Sequence, residues 1–400
     1  MSVRILVLSQ YFWPENFRIN DLAVELARRG HRVTVLTGTP NYPQGTVPPA
    51  FRARPAAFAR LEQVEILRVP MLTRGQGRIR LALNYLSFAL SACGFGLWAL
   101  RGRAFDLVFV FQVSPGTVGL PAVLLSRCKR ARLFFWVQDL WPETLEAIGA
   151  VRAPALLGLV GGFMRWVYRH STHLLAQSRA FVPLLRQRAP LTVAVSYLPN
   201  WADRLAAPGD EARATPGGPG FDIFYLGNLG AAQDLPTVLD AIEALAPDAV
   251  RWHFVGTGSA AAWLAQEVDR RGLHAVVTLH GAHPPEDMPH FQRQADALLV
   301  CLRPDPLFAL TVPSKVASYL GAGRPIIGML DGEGARVIEA AGAGVTCPAG
   351  DSAALTAAVR RLRALPAPAR DAMGEAGRRF CAQEFSLPGI VDQLEALFEA

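Results

Sequence analysis

Short apolar runs alternate with amphipathic stretches of helical period along almost the whole of this chain. Residues 3–8 (VRILVL) make a run of the kind found in central parallel strands, which are buried on both faces. Residues 19–29 follow, with Ile19, Leu22, Ala23, Leu26 and Ala27 on one helical face. Gly30 closes that helix and 31–36 is a second strand. Strand, helix, glycine and strand in this order predict a βαβ unit with a right-handed crossover. The same logic predicts strands at 64–69, 106–111, 131–137, 173–176 and 193–197, and helices near 79–100, 116–127, 153–168 and 179–187.

A second alternation opens at 221. Strands are expected at 221–226, 250–255, 275–280, 297–302 and 344–347, and helices at 235–246, 260–271, 286–294 and 351–365. The tail, 369–399, reads as two helices broken at 386–389. Between the alternations lies RLAAPGDEARATPGGPG (204–220), poor in large apolar residues and rich in Pro, Gly and Ala, as a linker is. The predicted fold class is therefore α/β, with two doubly wound Rossmann-like domains facing across a cleft. Residues 1–203 form the first domain, 204–220 the linker and 221–380 the second domain. A last helix, 381–400, is expected to return to the first domain.

In an open parallel sheet the ligand lies at the carboxyl edge. Three strands of the first half end in polar loops, at 9–18, 37–45 and 138–143, which the topology places on one rim. In the second half the informative stretch is LVCLRPDPLFALTVPSKVASYLGAGRPIIGM (299–329), read as strand, polar loop, short helix, glycine stop and strand. Pro313 is expected in the first helical turn, Gly321 and Gly323 at the exit. Ser314, Lys315 and the free amides behind them would then stand at a positive helix end, ready for an anion. By itself this stretch is equally a capped surface helix with a solvated lysine.

Composition sharpens that reading, because Lys129 and Lys315 are the only lysines among 40 basic residues. The net charge of +7 is unevenly placed: residues 1–203 carry 24 Lys and Arg against 10 Asp and Glu, and residues 204–400 carry 16 against 23. A basic first half fits an anionic surface or substrate. No recognition helix, RRM or zinc-finger signature points to nucleic acid. Residues 81–100 (LALNYLSFALSACGFGLWAL) carry no charge and are flanked by Arg74, Arg78 and Arg80 on one side and Arg101 and Arg103 on the other. The length suffices to span a bilayer. A strand follows at once, however, so the stretch reads as a helix lying in the lipid interface or as a buried core helix. Five scattered cysteines without a CxxC pair fit a reducing compartment and no structural zinc. The first eight residues are too short and too soon charged for a signal peptide. A cytoplasmic protein peripheral to the membrane is expected.

YFWPEN and its following helix, ELARRGHRVTVLTG (25–38), WVQDLWPE (136–143), YLGNLGAAQDL (225–235), FVGTG (254–258) and VPSKVASYLGAGRPII (312–327) stand in one order along nearly the whole chain. Together they resemble a glycosyltransferase of the GT-B fold, family 4. TPNYPQG and VQDLWPE are similar to the branch that transfers acetamido-deoxyhexoses, of the N-acetylfucosamine type, in O-antigen, capsule or colanic acid assembly. The resemblance implies a nucleotide sugar, UDP-linked, held by the second domain. It implies a lipid-diphosphate-linked acceptor on the first, retention of configuration, and no metal or other cofactor. No DxD triplet stands at a matching place. Two departures accompany it. The family's glutamate pair is replaced by Leu310 and Ser318, which excludes a ribose-binding carboxylate at 318. Its basic pair is replaced by Asn228 and Gln233, which shifts demand to Lys315, with Arg303 and Arg324 as substitutes.

On this resemblance Lys315 and Ser314 are the diphosphate clamp. Gly227, Asn228, Leu229 and Gly230 allow close backbone approach to the distal phosphate; an ordinary βα turn looks the same. Gly256 and Gly258 are part of a dinucleotide-type fingerprint. His280 and Gly281 end a strand beside the base site or make a structural turn. Asp139, next to Gln138, is the candidate base or sugar ligand, with a helix cap as its other reading. Glu15, Asn16, Asn41 and Tyr42 are expected to contact acceptor or donor sugar, or to hold their loops. Two other functions use the same residues: a sugar-nucleotide 2-epimerase, and a non-catalytic protein binding a lipid-linked sugar.

Overall fold

The computed structural model describes residues 2–75, 77–113, 115–147, 151, 153–202 and 220–399. The expected linker, 204–220, lies almost wholly outside these. The chain divides into two compact units, Met1–Leu198 with Val391–Ala400, and Pro199–Ile390. The division thus falls at 198 and 390, where the sequence reading set 203 and 380.

The first unit is built on an eight-stranded sheet. Its strands are β1 (Arg4–Leu8), β2 (Arg32–Gly38), β3 (Arg60–Leu61), β4 (Val64–Val69), β5 (Leu107–Gln112), β6 (Arg132–Val137), β7 (His173–Ala176) and β8 (Ala194–Tyr197). They lie in the order β3-β4-β2-β1-β5-β6-β7-β8. All pairings are parallel except the short β3–β4 hairpin, which hydrophobic periodicity does not reveal because it is only two residues long on one side. Every residue of β5 is buried, as is expected of a strand covered on both faces. Chain order runs outward from β1 through β2 to β4 and then returns to β5 on β1's other flank. The switch point of this sheet is therefore at the carboxyl ends of β1 and β5.

Helix Arg78–Ala99 connects β4 to β5. Asn84, Phe88, Ala89 and Ala92 turn inward, and Gly96 lets the helix settle on Leu36, whose Cδ2 lies 2.8 Å from where a Cβ would stand. The opposite face leaves Ile79, Leu83, Leu86, Leu90, Phe95 and Trp98 exposed, so the core-helix alternative is corrected. The helix is long and apolar enough to cross a membrane, and most of it is not buried in the protein. Both its neighbouring strands belong to one sheet, which a spanning helix would separate.

The second unit carries a six-stranded, all-parallel sheet of β9 (Phe221–Leu226), β10 (Val250–Val255), β11 (Val277–Gly281), β12 (Ala297–Cys301), β13 (Ile326–Met329) and β14 (Gly344–Cys347). The order β11-β10-β9-β12-β13-β14 puts its switch point between β9 and β12. The strand period of two divides its core: Phe221, Ile223 and Tyr225 join one apolar cluster, and Phe224 and Leu226 the cluster on the other face. A helix absent from the sequence reading, Glu333–Ala340, connects β13 to β14. The tail forms helices Ala367–Glu384 and Leu387–Glu399. The end of the latter packs within the first unit, where Arg29 pairs with Asp392 and Glu395, and His31 with Glu395 at 2.8 Å.

Candidate functional site

At the second unit's switch point the turn after β9 meets the helix after β12. Helix Ser314–Ala322 starts one residue later than expected, with Pro313 as its N-cap in extended geometry, and ends at Gly323 in the left-handed conformation. Tyr319, on its buried face, accepts a hydrogen bond from the Leu226 amide at 2.9 Å, and so pins the helix to the end of β9. One turn earlier, the Lys315 ammonium donates to the Tyr225 hydroxyl at 2.5 Å and lies 4.2 Å from that ring's centroid. Its Cε passes 3.1 Å from where a Cβ on Gly227 would sit, so the glycine (φ +118°) makes room for the lysine. Burial pushes the Lys315 pKa down to about 8. The Tyr225 phenol, pushed up by burial, stays protonated and passes its own hydrogen to the Asn228 carbonyl at 2.5 Å. Ser314 is exposed beside the lysine.

The glycine turns differ from expectation. The amides of Gly227, Leu229 and Gly230 are already spent, on Val255 O (2.8 Å), Thr257 O (2.9 Å) and Gln233 Oε1 (2.8 Å). Leu229 puts its side chain into the core. Of this turn only Asn228 faces outward. Gly256 and Gly258 serve the packing of one turn on the other: a Cβ on Gly256 would stand 2.0 Å from Gly227 O, and one on Gly258 2.3 Å from Leu229 O. The expected phosphate cradle is thus narrowed to Lys315, Asn228 and the helix start. The substitutes named for the missing basic pair are engaged elsewhere: Arg324 donates to Arg293 O at 2.7 Å, and Arg303 reaches Asp305 at 3.4 Å. Ser318 accepts from Gln292 Nε2 at 3.4 Å.

His280, at the end of β11, sits in a chain that the sequence did not disclose. Asp222 accepts from His253 Nε2 at 3.0 Å, and His253 Nδ1 lies 3.2 Å from His280 Nε2. Arg251 holds the same buried carboxylate with two bonds, and these partners keep Asp222 ionised, its pKa at about 2, against the cost of burial. His280 is itself pushed down by burial. Gly281 (φ +76°) accepts from the Gly256 amide at 2.7 Å.

In the first unit the three expected loops do converge on the carboxyl edge, and each contains a cis X–Pro bond, at Trp13–Pro14, Tyr42–Pro43 and Trp141–Pro142. Glu15 and Asn41, however, are buried and turned inward. Glu15 accepts from the amides of Asn41 and Tyr42, both at 2.6 Å, with its pKa raised by burial. Asn41 uses its side chain on Thr39 O and the Arg74 amide, both at 2.8 Å. In this structure both side chains hold loops, the other reading the sequence offered for them. Asn16 and Tyr42 are exposed. Tyr42 packs against Tyr11 and Phe17, with ring centroids 5.3 and 5.1 Å apart, and carries the Arg74 guanidinium 5.3 Å over its face. Asp139 is half-buried within electrostatic reach of Tyr85, and Gln138 is buried beside it. Among the described residues, no group of three or more His, Cys, Asp or Glu is placed to hold a metal.

Two doubly wound units, each with its polar loops at the switch point of a parallel sheet, define the GT-B class. HepE from Anabaena, solved with UDP and glucose, shares this fold with a TM-score of 0.69 at 14% identity, over 100% of both chains. The family pattern described as a glycosyl transferase 4-like domain matches residues 16–201, and that described as glycosyl transferases group 1 matches residues 220–364. The chain is a GT-B glycosyltransferase of family 4. It is 26% identical to WbjE of Pseudomonas aeruginosa, named as a glycosyltransferase, over 59% of this chain and 62% of that protein. It is 25% identical to WcaI of Escherichia coli (strain K12), named for colanic acid biosynthesis, over 80% of this chain and 82% of the relative.

Proposed function

We propose that this protein transfers an acetamido-deoxyhexose from a UDP-linked donor to a lipid-diphosphate-linked saccharide, with retention and without a metal. The product belongs to the assembly of a bacterial surface polysaccharide. The observation that carries the reading is the Lys315 ammonium, lodged against Gly227 and Tyr225 at the second sheet's switch point. As the donor's C1–O bond breaks, negative charge gathers on the departing diphosphate, and a preorganised cation in a partly desolvated site stabilises it most strongly there. The acceptor hydroxyl forms the new C–O bond on the face the leaving group vacates, and its proton passes to a departing phosphate oxygen. Asp139, on the first unit, orients the acceptor. UDP bound to HepE, and the polysaccharide for which WcaI is named, support donor and product class.

The exposed face of helix Arg78–Ala99 supports a place on the cytoplasmic membrane surface. Of the most exposed large apolar side chains among the described residues, all but Leu279 belong to the first unit. Arg101, stacked 4.4 Å over Trp98, is suited to the headgroup layer. The test is thermal stabilisation by nucleotides. UDP in excess raises the melting temperature of the full chain, and Lys315→Ala removes most of that rise. Equal melting of the two proteins with UDP present and absent overturns the donor-site assignment.

A further inference from the structure

The start of helix Arg78–Ala99 holds a second cationic site that the proposed transfer does not yet use. Asn84 is the one wholly buried amide side chain in this apolar helix, and it is fully engaged. Its Oδ1 accepts from Gln10 Nε2 at 2.8 Å and from the Tyr11 hydroxyl at 3.2 Å, and its Nδ2 donates to Leu72 O at 2.5 Å. Ser87 Oγ takes the Leu72 amide at 3.0 Å, and Asn41 takes the Arg74 amide. The segment before the helix is thereby tied to the switch-point loop after β1.

What this web positions is Arg74. Its guanidinium lies over Tyr42, beside the Tyr11 hydroxyl that is already spent on Asn84, and within electrostatic reach of the Tyr85 hydroxyl, which burial keeps protonated. Arg80 folds back on the same segment, with Nε 2.5 Å from where a Cβ on Gly75 would stand. Among the described residues neither arginine has a carboxylate partner, and the two lie together on one short segment. From Arg80 the exposed stripe Ile79, Leu83, Leu86 and Leu90 runs outward for roughly 16 Å at helical rise. Asp139 and Arg74 both lie within electrostatic reach of Tyr85.

Two unpaired guanidinium groups at one end of an apolar stripe are complementary to one kind of molecule: a diphosphate carrying an apolar chain. We propose that Arg74 and Arg80, with the hydroxyl of Tyr85, bind the diphosphate of the lipid-linked acceptor, and that its chain lies along Ile79, Leu83, Leu86 and Leu90. This rests on the transfer reading above and names the acceptor subsite. It differs from general attraction to anionic lipid, because Arg74 is half-buried and held over a ring, where a headgroup contact would be exposed and mobile. The diphosphate so placed brings its attached sugar toward Asp139.

The probe is farnesyl diphosphate, titrated into the full chain with and without saturating UDP, alongside inorganic pyrophosphate, farnesol and phosphatidylglycerol vesicles. Farnesyl diphosphate is expected to bind about tenfold or more tighter than pyrophosphate or farnesol. Arg74→Gln should weaken it about tenfold, and Arg74→Lys by less, as loss of a charge-assisted fork does. Vesicle and UDP binding should stay unchanged. Arg80→Gln, at an exposed position, gives the same direction if the Arg74 variants fail to fold. Unchanged farnesyl diphosphate affinity in the folded variants overturns the site. So does pyrophosphate binding as tightly, which marks a free-phosphate site, or an equal loss of vesicle binding, which marks a headgroup contact. Failure of the wild type to bind UDP counts against the transfer reading alone, since the farnesyl diphosphate comparison is also read without nucleotide.

Discussion

Lys315 owes its properties to where its side chain is kept. A lysine ammonium in water titrates near 10.4; against Tyr225 and Gly227 it is pushed down to about 8 by lost hydration. Its folded-state value is depressed, so the ammonium is present below about 8 and lost as pH rises through it. UDP affinity and kcat/KM should therefore hold at neutral pH and fall above pH 8. A profile flat through pH 9.5 would show that no such group is used. Lys315→Ala should lower kcat by about one to three decades, the usual loss of a transition-state charge contact. Steady-state rates with a nucleotide sugar and a lipid-diphosphate acceptor would measure it. Lys315 and Gly227 were legible in the sequence as a lone lysine and a turn glycine. Tyr225, which holds the lysine, was not, because a tyrosine in a strand otherwise buried reads as core.

At the scale of elements, the two glycine turns of the second unit form one object. Gly256 has φ +139° and no space for a Cβ against Gly227 O. Gly256→Ala should cost roughly 3 kcal/mol through backbone strain and displacement of the Gly227 turn. That is about 10 °C in the melting of this unit, with loss of UDP stabilisation beyond the loss of fold; a shift under 2 °C would refute it. The first unit offers a comparable row. Gln10, Gln112, Gln138 and Gln177 stand at or just past the carboxyl ends of β1, β5, β6 and β7, and all four are buried. Gln177 Nε2 donates to Gln138 O at 3.1 Å, and the Gln138 amide to Gln112 O at 3.2 Å. No sequence pattern marks this row, since strand order alone makes these four positions neighbours.

At the scale of the molecule, helix Leu387–Glu399 serves both units' chain path but packs its last residues in the first. Val391, Leu394 and Phe398 are buried there, and Arg132 donates to Phe398 O at 2.5 Å. Deleting 391–400 should cost about 4 kcal/mol or more from exposed apolar area. Calorimetry should show the first unit's transition lowered and the second's unmoved; coincident loss of both would contradict the division. The exposed stripe makes a further prediction: Leu86→Glu with Leu90→Glu should abolish binding to phosphatidylglycerol vesicles and leave melting within about 2 °C, because these side chains bury little. Unaltered vesicle binding would leave the membrane reading without support.

Periodicity and glycine placement were enough to set nearly all the strands and the βαβ units, because each depends on residues close in the chain, while the class of protein was read from the resemblance its motifs carry. Which face of helix Arg78–Ala99 stays exposed, which turn amides are free, and what surrounds Arg74 were decided only by tertiary structure. Those features join residues tens of positions apart, such as Gln10 with Asn84 and Tyr225 with Lys315. No local pattern records such pairs, because the strand order that brings them together is chosen by the packing of the whole sheet.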